Sequence, residues 1–117
     1  MEIVSAGYTN WSQPPQRGDV PERGTDLAII VKNWPEGAAP QHIIYEKHKS
    51  LGAEITGDSE LGVIINARIV RSTTRLPQTS EEVNLSDRLV YTDANGNEQH
   101  IEINEWTRIE KPAAEEQ

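Results

Sequence analysis

Asp87-Arg88-Leu89-Val90-Tyr91-Thr92-Asp93-Ala94-Asn95-Gly96-Asn97-Glu98-Gln99-His100-Ile101-Glu102-Ile103-Asn104-Glu105-Trp106 is the stretch whose reading decides the fold class. Two alternating runs flank an Asn-Gly, the strongest short-range signal for a β-hairpin. The apolar residues Leu89, Tyr91, Ile101 and Ile103 are all odd-numbered. A two-residue loop at Asn95-Gly96 would set Tyr91 opposite His100 and Leu89 opposite Glu102, splitting the apolar set between two faces. A one-residue change of register reunites it, and burial favours that register. Asp93-Ala94-Asn95-Gly96 suits a type I turn followed by a left-handed glycine. The sequence therefore predicts a three-residue loop with Gly96 at positive φ. It also predicts a wet opposite face carrying Val90, Thr92, His100, Glu102 and Asn104.

Working outward, Val63, Ile65, Ala67 and Ile69 form the next clearest alternating run, with further apolar residues between them. Apolar character on both faces predicts a central strand, with these four turned to the core. Leu27-Ala28-Ile29-Ile30-Val31 is a continuous apolar run of strand length, consistent with burial on both faces. Residues 2–9, His42 to His48, and Gly52 to Thr56 are expected to be shorter strands. Thr79-Ser80-Glu81-Glu82 matches a cap for one helical turn, although no stretch shows a sustained helical period. Residues 11–24, from Trp11 to Gly24, contain three of the chain's seven prolines and no periodicity, so they read as one long loop. The expected fold is all-β, a single antiparallel β-sandwich or small open barrel of about six or seven short strands. Residues 1–110 are expected to be one domain and residues 111–117 a disordered acidic tail.

The chain has 117 residues and no cysteine, which excludes disulfides and thiolate metal sites. Its net charge is −8. Residues 1–79 hold nine acids against eight bases, and residues 80–117 hold ten against three. An acidic surface argues against nucleic acid, which requires a basic footprint, and against anionic membranes. No apolar run reaches the roughly 18 residues of a membrane-spanning helix. Met1-Glu2-Ile3 lacks the basic start and apolar stretch of a signal peptide, so a soluble chain is expected, in a compartment left open.

No motif specifies catalysis. Asp93, Asn95 and Asn97 stand at alternate positions like the start of a calcium loop, but Gly96 falls at the fourth place rather than the sixth. The turn explains the same residues without a metal. Arg17-Gly18-Asp19 spells an integrin-recognition tripeptide, and Asn10-Trp11-Ser12 and Asn84-Leu85-Ser86 match the glycosylation acceptor pattern. Such short matches arise by chance. If His42 and His48 share one strand, they stand about 20 Å apart and cannot bind one ion together.

The reading is a non-catalytic binding or structural module, with no cofactor, no metal ligands and no catalytic residues assigned. The alternatives are a small carboxylate-dependent hydrolase and a small-ligand-binding barrel. The candidate partner is another protein, met through the 11–24 loop. Trp11, Arg17, Arg23 and Trp34 are the candidate binding residues, because Trp and Arg are favoured at interface hot spots. Both tryptophans adjoin proline-containing loops; packing at the core or rim is the favoured reading of them, and a shared ligand platform is the alternative.

Overall fold

The computed structural model describes residues 1–13, 22–72 and 79–109. Ten strands build two five-stranded sheets. β1 (Glu2–Gln13), β2 (Glu22–Lys32), β5 (Glu54–Ser59), β6 (Gly62–Ser72) and β10 (Thr107–Arg108) make the first, in the order β10-β1-β2-β6-β5. β3 (Ala39–Tyr45), β4 (His48–Lys49), β7 (Glu81–Glu82), β8 (Arg88–Thr92) and β9 (Glu98–Glu102) make the second, in the order β7-β4-β3-β8-β9. The pairs are antiparallel except β1 with β10, where Gly7 faces Thr107 and Tyr8 faces Arg108. The expected sandwich is present, with more strands than the sequence indicated and with β1, β2 and β6 longer. Its interior is a filled core, not a barrel lumen.

Side-chain alternation puts one set from each sheet between the layers. Leu27, Ile29 and Val31 of β2, Ile65 and Ile69 of β6, Ile43 and Tyr45 of β3, and Leu89 of β8 are buried there together with Ile103. Val63 and Ala67 pack against this core, so all four odd residues of the alternating run face it from a strand bonded on both sides. β2 departs from expectation. Its odd residues are buried, while Ala28 and Ile30 on the outer face are half-buried, because that face carries no second layer.

The decisive hairpin forms in the register that burial demanded. Leu89 pairs with Ile101 and Tyr91 with Gln99. Ala94, Asn95 and Gly96 make the loop, with Gly96 at φ 82°. Asp93 accepts the backbone N–H groups of Asn95 and Asn97, both at 2.9 Å, and the side-chain amide of Gln99 at 3.3 Å. Those bonds hold its carboxyl below the usual carboxylate range. The opposite face is less wet than expected, since Val90 is 6% exposed. His42 and His100 occupy the register positions on either side of it.

Three further expectations fail for physical reasons. Residues 11–13 and 22–24 are strand, not loop, because β1 and β2 stay paired out to Gln13 and Glu22. The strand expected through His48 ends at Tyr45. Glu46 and Lys47, at φ 47° and 64°, turn the chain back so that His48 pairs with Tyr45. Tight hairpins need left-handed residues, and here two non-glycine residues supply them. Finally, Thr79 to Glu82 is not helical. Ser80 bonds the backbone of Val70 in both directions, and Glu81 and Glu82 pair with Lys49 and His48. The expected tail at 111–117 lies outside the described residues.

Candidate functional site

The β1–β2 hairpin leaves the first sheet at the same end of the sandwich where the β3–β4 turn closes the second. A cleft of about 350 Å³ opens between them, walled by Tyr8 and Asn10 of β1, Arg23 of β2, Tyr45 and Glu46 of β3 and its turn, and Arg71 of β6, with Trp11 and Gly24 beside them. A bulge shapes this wall. Arg23 pairs with Ser72 and Gly24 with Val70, so Arg71 is the extra residue on β6. Bulges re-aim side chains in this way. Arg71 reaches the second sheet, donating to Glu46 Oε2 at 2.9 Å and lying 5.8 Å from the ring of Tyr45.

Aromatic packing fixes the floor. Tyr45 stacks edge-on to Trp106 at 5.0 Å and lies 5.9 Å from Tyr8. Asp87 ties two of these parts together, one carboxylate oxygen accepting Trp106 Nε1 at 2.8 Å and the other the backbone N–H of Glu46 at 2.9 Å. Burial, with Glu46 and Tyr8 adding to it, pushes the Tyr45 phenol up to about 12.

Trp11 is held on the outer side of this end. Its ring lies against Gly24, where a Cβ would stand 2.7 Å from Cε2 and closer still to Cζ2. The Arg68 guanidinium covers it at 5.0 Å, itself fixed by Asp26 at 2.8 and 3.2 Å. The indole N–H is buried and has no acceptor among the described residues. Arg23 is exposed and forms no ion pair with a described residue.

Of the residues singled out in the sequence, Trp11 and Arg23 therefore come together at one end. Trp34 does not join them. It follows β2 at the far end, ten residues beyond Gly24, roughly 30 Å away at strand rise. There it donates to Ala38 O at 3.2 Å and packs on Tyr91 at 5.5 Å, so no platform with Trp11 exists. Arg17, and the Arg17-Gly18-Asp19 triplet with it, lies outside the described residues. Sequence reasoning missed Tyr8, Tyr45, Glu46 and Arg71, which belong to separate segments and carry no shared spacing.

Two larger hollows have less to offer. One of about 570 Å³ runs beside Asp26, Leu51, Glu54, Asn66 and Arg68. Its polar groups are mostly spent on each other: Arg68 on Asp26, and Asn66 on Leu27 O and the Thr56 hydroxyl. The other, about 460 Å³, is bounded by the β3–β4 turn and Glu82 to Asn84. Among the described residues no group of three His, Cys, Asp or Glu side chains could hold a metal ion, and no helix is long and apolar enough to cross a membrane.

Compared with protein-family models, curated proteins and solved structures, the chain matches none.

Proposed function

We propose that this domain is a non-catalytic interaction module that meets a partner protein with the end of the sandwich bearing Trp11 and Arg23. The observation that carries the reading is the preorganised set at that end: Trp11 seated on Gly24 under Arg68, and Arg23, without an ion pair among the described residues, beside Tyr8, Tyr45 and Arg71. Trp, Tyr and Arg dominate interface energetics, and side chains already held in place lose less entropy on binding. Among the described residues the cleft's charged acceptor is a single carboxylate, Glu46, already committed to Arg71. Hydrolysis by a carboxylate pair calls for two acids facing one bond, which favours binding over catalysis as the use of this site.

The test places a photo-crosslinking residue at Ser12, on the proposed surface, and separately at Gln99 on the β9 edge. The reading expects a defined crosslinked partner from Ser12 and none from Gln99. With that partner purified, Trp11→Ala and Arg23→Ala each weaken binding at least tenfold. Equal crosslinking from both positions, or unchanged affinity of both variants, refutes it.

A further inference from the structure

The cleft presents more hydrogen-bond donors than acceptors. The Arg23 guanidinium and the hydroxyls of Tyr8 and Tyr45 have no hydrogen-bond partner among the described residues. Asn10 Oδ1 takes the hydroxyl of Thr25 at 2.8 Å, which leaves its amide N–H groups as donors. Arg71 gives Nη2 to Glu46 at 2.9 Å, and its Nη1 stands 3.4 Å from His48 Nδ1. That ring nitrogen sits closer, at 3.0 Å, to the carbonyl oxygen of Glu46. A ring nitrogen donating to a carbonyl has no lone pair for a guanidinium. With Nδ1 donating to that carbonyl, Nη1 stands beside the ring without an acceptor among the described residues. Among the described residues the cleft holds two guanidinium groups against one carboxylate, in a chain whose net charge is −8.

The complement of such a wall is an anion that only accepts hydrogen bonds, and a carboxylate does so in a geometry that matches arginine. We infer that the cleft receives a carboxylate side chain from an acidic peptide segment of the partner, an inference that rests on the sandwich end being the protein-binding surface. Size chooses this ligand over an extended polyphosphate. At about 350 Å³ the cavity is at the small end of the roughly 300–1,000 Å³ of ligand pockets, room for a side chain and not for a phosphodiester backbone. Tyr45, with its phenol pushed up to about 12, stays a protonated donor at neutral pH. The β3–β4 turn holds Glu46 and Lys47 in the left-handed backbone that its tight hairpin requires. Here it keeps Glu46 against Arg71, and the Glu46 carboxylate occupies the arginine as an internal stand-in for the ligand.

The experiment titrates the isotopically labelled full chain at low salt with an acetylated, amidated tetraglutamate peptide. Tetraglutamine peptide and inorganic phosphate form separate arms. Saturable shifts with the glutamate peptide alone are expected, confined to the surroundings of Tyr8, Arg23, Tyr45 and Arg71. Arg23→Ala weakens that binding at least tenfold, and Lys32→Ala, at the other end of β2, leaves it unchanged. Glu46→Gln strengthens it several-fold by releasing Arg71, an outcome that mere structural support by Glu46 does not produce. Circular dichroism checks that each variant is folded. Equal binding of the glutamine peptide, binding of phosphate alone, or Glu46→Gln weakening as Arg23→Ala does overturns the inference. Absence of glutamate binding with Ser12 crosslinks intact retires the carboxylate and leaves the protein-binding surface. Glutamate binding without a crosslinked partner retires the latter instead.

Discussion

Replacing Gly24 by alanine tests the architecture of the Trp11 end of the sandwich at one atom. The added Cβ would stand 2.7 Å from Trp11 Cε2, and closer still to Trp11 Cζ2 and to the carbonyl oxygen of Ile69. The indole can swing away at the expense of its seat. The carbonyl cannot, because it belongs to β6 where that strand pairs with β2. Overpacking of this kind costs about 1–3 kcal/mol, and one fixed clash places the site toward the upper end. Removing a strand glycine returns about 0.5–1 kcal/mol. The net expected loss is about 2 kcal/mol, or roughly 8 °C in Tm for a domain of this size. Urea denaturation followed by circular dichroism measures it, and a double-mutant cycle with Trp11→Ala apportions it. Without the indole only the Ile69 clash remains, so Gly24→Ala should cost about 1 kcal/mol less in that background, within the range for residues in contact. A loss below about 0.5 kcal/mol, or the same loss with and without Trp11, refutes the seat that the geometry describes.

Four other outcomes follow from the same structure. Ile65→Ala should lose about 2–5 kcal/mol in chemical denaturation, since Ile65 is fully buried; a loss under about 1 kcal/mol contradicts its core position. The Tyr45 phenol is harder to ionise folded than unfolded, so the stability it lends is complete below pH 10 and is lost as pH rises toward 12. Tyr45→Phe should flatten that part of an alkaline unfolding curve, and an unchanged curve counts against it. Asp93 is displaced the other way, so its contribution is present above about pH 4 and lost as pH falls below it. Asp93→Asn should therefore show a shallower acid dependence than the parent chain, and equal slopes contradict the turn assignment. Filter binding and vesicle flotation should detect no tight binding to DNA, RNA or anionic lipid; micromolar binding that weakens steeply with salt would reverse this expectation.

What the sequence disclosed was local and one-dimensional. The β8–β9 register was legible because Leu89, Tyr91, Ile101 and Ile103 share a parity that a single loop length satisfies. β6 was legible for the same reason. The turn at Glu46-Lys47 was not, because neither residue favours positive φ and the stabilising contact to Glu46 comes from Asp87, far along the chain. The paired ends of β1 and β2 were also hidden. Trp11 to Gln13 and Glu22 to Gly24 are mostly polar, and they are ordered through the ladder and not by an apolar stripe. The proposed binding end was half visible. Trp11 and Arg23 stood out by residue type, whereas Tyr8, Tyr45 and Arg71 meet only after two sheets and a bulge are in place. Trp34 was grouped with Trp11 because both adjoin prolines, a resemblance of neighbours that says nothing about distance.

The parallel contact of β1 with β10 makes the beginning of the chain wait for its end. Gly7 finds Thr107, and Ile109 both lies over Gly7 and takes the hydroxyl of Thr9 from a hundred residues away. At roughly 5–20 residues per second, synthesis delivers those residues on the order of 5–20 seconds after β1 has emerged. Throughout that interval the outer backbone of Ile3 to Gln13, a stretch without a single charged side chain, stands as an unguarded template for another strand. The hazard of pairing with the wrong chain is therefore greatest before β10 arrives, and β10 then covers the middle of that edge, at Gly7 and Tyr8.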